Sequence, residues 1–321
     1  MNVRHLRFFV ALSTERHFGR AAAACHVSQP ALSMAIRRLE AELGVRLVER
    51  GGGSTVGLTE AGEALVDRAR ATVRGVDDIE AEASRLRGRL TATLRLGTVP
   101  TAVAAAPALV APLLRAHPGV RTEIRTSSGR DLLGRVARHE LDAALVYEDD
   151  GLAGVRSTAL YRERFVLVGG RDDDPPGPVS WGTVGGLPLC LLTPEMQQRT
   201  ILDDVFRRAG ATVRPVAEAD ALPALLGFVR EGWATVLGRT WLSGQRLPAD
   251  VRVRSIVDPV IEPTITLVTA AAGPATPVVR ALLDAVSGLD VEELLGAAGV
   301  HDEGRTGPAA ASASPGSPSP A

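Results

Sequence analysis

CHVSQPALSMAIRRLEAELG, residues Cys25 to Gly44, is the stretch on which the fold turns. Ser28 is a natural N-cap, since its hydroxyl can accept from a free amide of a first helical turn. Pro30 then falls in that first turn, where a missing N–H costs nothing. Gly44 sits where a helix C-terminus favours glycine. The spacing predicts a helix over residues 29–43. At about 100° per residue, Leu32, Ala35, Ile36, Leu39 and Leu43 share one face. Pro30, Ser33, Met34, Arg37, Arg38 and Ala41 share the other. That second face is either a solvated charged surface or a surface that reads a partner.

The preceding residues bear on the choice. Asn2 caps an apolar stripe of Leu6, Phe9, Val10 and Leu12, which predicts a helix over 2–15. An alanine-rich helix follows over about 18–25. Two short helices, a tight connection and an arginine-bearing helix describe a helix-turn-helix, whose second helix enters the DNA major groove. The outward residue types suit that task. Arg37 and Arg38 can reach phosphate or guanine, and Gln29 can pair with adenine. Met34 or the Pro30 ring can touch a thymine methyl.

Downstream, Val45–Gly62 reads as a two-stranded wing with Gly51, Gly52 and Gly53 near its turn. Thr59 caps a long helix to about residue 88. Along it, Ala61, Leu65, Ala69, Thr72, Val76, Ile79, Ala83 and Leu86 keep heptad spacing. The stripe covers the chain's own core or seams a homodimer, and sustained spacing on a long helix favours the dimer. From about residue 91, strand-like segments alternate with helical ones. This predicts an α/β region with mostly parallel sheet, long enough for two lobes. Residues 307–321 contain only Gly, Pro, Ala and Ser, so 302–321 is expected to be a disordered tail. The domain expectation is therefore a winged helix-turn-helix at 1–58, a linker helix at 59–88 and a two-lobed α/β domain at 91–300.

Charge supports this division. The chain has 321 residues and a net charge of −1, and all 36 of its basic residues are arginine. Residues 1–50 hold eight Arg against four Glu, and residues 91–321 hold 22 Arg against 26 acids. The basic excess is local to the N-terminal helices, as a small anionic partner surface requires. Two distant cysteines, Cys25 and Cys190, make no disulfide framework and fit a reducing compartment. Arg4 and Arg7 interrupt the first apolar stretch, so it does not read as a signal peptide. The longest apolar run is too short to span a bilayer. A soluble cytoplasmic protein without a membrane role is expected.

In open α/β sheets, ligands sit beyond the carboxyl ends of strands. One such end carries Thr98, Pro100 and Thr101. A second carries Ser127 and Ser128, and a third carries Thr193, Glu195 and Met196. Helix N-termini at these turns offer free amides to an anion. Tyr147 and Glu148 add polar groups at a fourth. The hydroxyls are either effector contacts or plain N-caps, and the acids either contacts or solvated surface.

Residues 1–62 closely resemble the DNA-binding domain of LysR-type transcriptional regulators. The resemblance is carried by Leu6–Val10, by Phe18 with Ala21 and Ala22, by Val27–Ser33, by Ile36–Arg50 and by Leu58–Gly62. Weaker landmarks extend it to about residue 295, at Leu94–Pro100, His117–Val120, Glu140–Leu145 and Val229–Gly238. It implies a winged helix-turn-helix, a dimerising linker helix and two periplasmic-binding-protein-like α/β lobes. It also implies a homodimer or homotetramer on double-stranded DNA at a near-palindromic operator, with a small-molecule effector between the lobes. Arg50 would meet a phosphate at the wing. The candidate DNA-contacting set is thus Ser28, Gln29, Pro30, Ser33, Met34, Arg37, Arg38 and Arg50. Met34 departs from the arginine often found there, Val48 from the usual phenylalanine, and the glycine wing tip from the usual basic one.

Enzyme chemistry finds little footing. None of the six histidines makes a metal-ligand spacing, and no nucleophile elbow or dinucleotide fingerprint is present. No cofactor is expected. Cys190 lies in an apolar run, where an inert buried thiol is expected. The competing reading is a small-molecule-binding protein or enzyme on the α/β region, with the N-terminal domain used only for assembly.

Overall fold

The computed structural model describes residues 1–49, 56–148, 154–169, 177–248, 251–291 and 293. Arg50, the glycine tip and the tail at 302–321 lie outside these residues. The N-terminal helices are α1 (Val3–Glu15), α2 (Phe18–Ala24), α3 (Gln29–Leu43) and α4 (Glu60–Leu86). Local side chains set their limits. Asn2 Oδ1 accepts from Arg4 N–H, Ser28 Oγ from Ala31 N–H and Thr59 Oγ1 from Gly62 N–H. Gly44 ends α3 in the left-handed region at φ +71°, which glycine enters without a Cβ clash. An antiparallel bridge between Val48 and Leu58 forms the base of the wing. Leu6, Phe9, Leu12, Leu32, Ile36, Leu39, Leu47 and Val66 form one core around these elements. Leu43, expected in that core, is 38% exposed. It is the last residue of α3, and the chain turns away immediately after it.

The region after α4 runs β1 (Ala92–Thr98), a 3-10 turn (Pro100–Ala102), α5 (Ala106–Ala116), β2 (Val120–Thr126), α6 (Gly129–Ala137), β3 (Ala143–Tyr147) and β4 (Val155–Arg162). It continues through β5 (Phe165–Val168), β6 (Val179–Ser180), α7 (Trp181–Gly185), β7 (Cys190–Leu192), α8 (Gln197–Arg208), β8 (Ala217–Ala219) and α9 (Leu222–Arg230). It closes with β9 (Thr235–Gly238), α10 (Arg239–Ser243), β10 (Val253–Val257), β11 (Thr264–Ala270) and α11 (Pro277–Ser287).

Two lobes result. The first holds a sheet in the order β2-β1-β3-β11-β4, and the second holds β6-β10-β5-β9 with the pair β7-β8 beside it. The expectation of mostly parallel sheet holds for only part of this. β1 pairs with β2 and β3 in parallel, but β11 runs antiparallel to β3 and β4, and β5 antiparallel to β9 and β10. The cause is connectivity. The chain passes from lobe to lobe through short links at β4–β5 and β10–β11, without the helical crossover that parallel pairing needs.

Helix α4 joins the two halves. Its front carries Val66 and Ala69 in the N-terminal core, and its rear places Ala81 in the core of the first lobe. Arginines fasten it there. Arg70 Nη1 lies 3.0 Å from Glu140 Oε1, and Arg74 Nη1 lies 2.5 Å from Asp142 Oδ1. Beside them, a cavity of about 480 Å3 separates α4 from the β11–α11 turn. No helix among the described residues is long and apolar enough to cross a membrane.

Candidate functional site

The first site is the outer face of α3. Ser28, Gln29, Pro30, Met34, Arg37 and Arg38 are exposed, and Ser33 is half-buried. Met34 is 68% exposed, so its thioether lies on the outer face with the two arginines. The two arginines differ. Arg38 Nε lies 3.6 Å from Glu42 Oε1, one turn further along. Arg37 has no hydrogen-bond or ion-pair partner among the described residues. Its guanidinium is free to present its donor fork, whose geometry fits a phosphate or a guanine edge.

The wing is tied to this helix from inside. Glu40, on the opposite face of α3, is 8% exposed. Its Oε1 accepts from Leu47 N–H at 2.8 Å and from Val48 N–H at 3.3 Å. A carboxylate at that point satisfies two amides where the wing begins. Thr59 Oγ1 donates to Arg46 O at 2.6 Å and holds the wing's other end.

The second site is the junction of the lobes. The turn Pro100–Ala102 packs on α10 of the second lobe. Thr98 and Thr101 are 0% and 1% exposed, and Pro100 is buried with them. Thr98 Oγ1 bonds to the Val99 carbonyl at 2.9 Å, so its hydroxyl serves the local backbone. Ser128 is the N-cap of α6, accepting from Asp131 N–H, and Ser127 beside it is half-buried. Thr193 is half-buried with an unpartnered buried hydroxyl. Met196 takes the N-cap position of α8 without a capping side chain, and Glu195 is exposed.

These turns converge through a residue the sequence reading passed over. Gln197, the first residue of α8, donates Nε2–H to the Tyr147 carbonyl at 3.3 Å. Its Oε1 lies so close to Gly129 that an added Cβ there would stand 2.5 Å away. The N-termini of α6 and α8 and the end of β3 therefore meet at Gln197. The signal was its place directly after the turn Thr193–Met196. Glu163 was also missed, and it lies fully buried between the lobes.

The Tyr147 side chain is 1% exposed and its hydroxyl lacks a hydrogen-bond partner. Burial, with the Glu163 carboxyl nearby, holds its ionisation well above the ordinary tyrosine range. Cys190 is fully buried in β7, and burial raises its thiol too. Among the described residues, no group of three or more His, Cys, Asp or Glu side chains is placed to hold a metal ion.

Comparison with known proteins bears on both halves of the chain. The bacterial regulatory helix-turn-helix domain of the LysR family matches residues 3–63, and the LysR substrate-binding domain matches residues 87–289. A hydrogen peroxide-inducible genes activator from Dickeya chrysanthemi is 39% identical over 147 residues. That match covers 46% of this chain and 48% of the relative, so the likeness spans about half of its length. A probable hydrogen peroxide-inducible genes activator from Mycobacterium avium is 34% identical over 235 residues, 69% of this chain and 74% of that one. The solved structure of a full-length OxyR variant from Pseudomonas aeruginosa superposes with a TM-score of 0.72 at 28% identity. It covers 91% of this chain and 96% of that chain. With residues 3–63 and 87–289 matched to its two domains, the chain belongs to the LysR family of bacterial transcriptional regulators.

Proposed function

We propose that this protein binds a near-palindromic operator as a homodimer or homotetramer in the cytoplasm, and that a small molecule held between its lobes modulates that binding. It acts as a regulator and not as an enzyme. The observation that carries the reading is the exposed polar face of α3, with an unpaired Arg37 beside a paired Arg38. Ser28, Gln29, Pro30, Ser33 and Met34 complete the groove-facing surface, and Arg50 contributes a phosphate contact from the wing. Thr101, Tyr147, Thr193 and Gln197 surround the effector, with Pro100, Ser127, Ser128, Glu195 and Met196 at its margins.

Several relatives are named for a response to hydrogen peroxide. A thiol sensor needs an accessible thiolate in an electropositive setting. Cys190 is fully buried with a raised thiol, and burial raises the thiol of Cys25 as well. The chemistry of this chain favours a bound effector over cysteine oxidation.

Gel shifts on promoter fragments test the reading. A base-edge arginine contributes about 1–3 kcal/mol of discrimination, so Arg37→Ala should weaken operator binding about 5- to 150-fold. Arg38→Ala should weaken it less. An unchanged Arg37→Ala complex, or a chain that binds no promoter yet melts higher with a small ligand, removes the proposal.

A further inference from the structure

A carboxyl group lies where the lobes join. Glu163 occupies the two-residue link between β4 of the first lobe and β5 of the second, and it is 0% exposed. Its N–H donates to Pro263 O at 2.8 Å, on the chain's return passage between the lobes. Its Oε1 accepts from Thr240 N–H of α10 at 3.1 Å. A Cβ added at Gly238 would stand 2.5 Å from the carboxyl carbon. Three passages of chain thus close on one residue, two of its contacts being to the carboxyl group.

The other oxygen is the anomaly. Glu163 Oε2 is buried and has no hydrogen-bond partner. The buried hydroxyls of Tyr147 on β3 and Tyr161 on β4 are unpartnered as well. These two tyrosines flank Ile265 of β11 in register, and both lie within electrostatic reach of Glu163. From the turn Pro100–Ala102, Thr101 stands beside the Tyr147 hydroxyl. Among the described residues, no cation pairs with the acid. Arg164, its neighbour, turns to Glu262 at 3.9 Å. Burial accordingly lifts the Glu163 carboxyl from 4.5 to about 7, restrained only by hydrogen bonds from Thr240.

A buried carboxylate with a bare oxygen and no cation is costly, whereas the protonated carboxyl is neutral and leaves no uncompensated charge in the closed hinge. Separating the lobes would admit water and restore ordinary acidity. We propose that Glu163 is the positioning residue of the hinge: protonated, it holds the lobes closed, and ionised, it favours their opening, so that closure takes up one proton from water. This rests on the reading of the cleft as the effector site, which it makes sensitive to pH near neutrality.

The test compares the full chain with Glu163→Gln, a near-isosteric side chain that cannot ionise. The folded-state value is raised, so the stabilisation is complete below about pH 4.5 and is lost as pH rises to about 7. Across that window the folding equilibrium constant of the wild type, divided by that of the variant, should fall roughly tenfold per pH unit and then level. Parallel profiles would overturn the proposal. Should the variant not fold, carbon-13 carboxyl resonances of the wild type decide: one glutamate titrating near 7 is expected, and none above 5.5 sinks the idea.

A second arm reads the hinge itself. Dyes on Arg130→Cys and Thr200→Cys, in a Cys25→Ser background diluted into unlabelled chain, report the distance between α6 and α8. Energy transfer should drop through pH 7 in the wild type and stay flat with Glu163→Gln. A flat wild-type trace rejects the coupling to closure. Neither arm uses DNA or an effector, so failure of the regulatory reading would leave both results standing.

Discussion

Glu40 shows how much one side chain carries in the DNA-binding half. It is an acid on the inner face of α3, 8% exposed, with its Oε1 shared by the amides of Leu47 and Val48. Charge-assisted hydrogen bonds of this kind contribute about 1.5–3 kcal/mol, and removing the acceptor leaves both amides buried without it. Glu40→Ala should therefore lower stability by about 2–3 kcal/mol in urea titrations. Operator affinity should fall as well, because the wing loses its anchor to the recognition helix. Glu40→Gln keeps one acceptor and should lose less. An Ala variant as stable as the wild type would show the carboxylate to be dispensable.

At the scale of elements, α4 divides its heptad stripe between two tasks. Toward the front, Ala69 is buried and Leu65 packs against the N-terminal core. Toward the rear, Ile79 is 70% exposed and Leu86 is 74% exposed, with Thr72 exposed on the same stripe. The front covers the chain's own core, the rear leaves Ile79 and Leu86 exposed on one stripe, and we propose that a second copy covers them. Each such side chain contributes about 1.5–3 kcal/mol when a partner covers it. Ile79→Asp should raise the dimer dissociation constant at least about tenfold in sedimentation equilibrium while helical content holds. Undiminished association would place the dimer contact elsewhere.

Legibility followed range. The limits of α1, α3 and α4 were readable because Asn2, Ser28, Pro30, Gly44 and Thr59 act on their own neighbours. β4 went unread, since Val155–Arg162 is an edge strand with mostly exposed residues and no clean alternation. β6 and β8 span two and three residues, too short for a periodic signal. Of the candidate sites, the α3 face was legible from spacing, whereas Gln197 and Glu163 were not. Glu163 stands between Arg162 and Arg164, where a run of charge reads as solvated surface. Only the crossing of three chain segments buries it.

Over the whole molecule, α4 is fastened to the first lobe through a few buried charges. Arg74, whose side chain is 14% exposed, meets Asp142, whose side chain is 2% exposed. Asp142 also accepts from Arg95 N–H of β1 at 2.6 Å and stands just before β3, which ends at Tyr147 in the cleft. Removing one partner of a buried pair leaves an uncompensated charge, which costs about 3–5 kcal/mol. Arg74→Ala should destabilise the fold by about 3 kcal/mol, less the share Arg95 retains, and Arg74→Ala with Asp142→Asn should recover part of the loss. Additive single effects in denaturation would show that the two side chains do not act together.

The continuity of α4 also has a mechanical side. With 27 residues it is a rod about 40 Å long, anchored at its two ends in separate cores. One degree of tilt at the lobe end would displace the far end by about 0.7 Å. Gly75 sits close to mid-span, with nothing within 4 Å of where a Cβ would be. Glycine weakens a helix at that point by about 0.5–1 kcal/mol relative to alanine. That weak point stands one residue beyond the Arg74–Asp142 pair, inside the stretch that the first lobe grips, so the helix is braced by side chains where its backbone propensity is lowest.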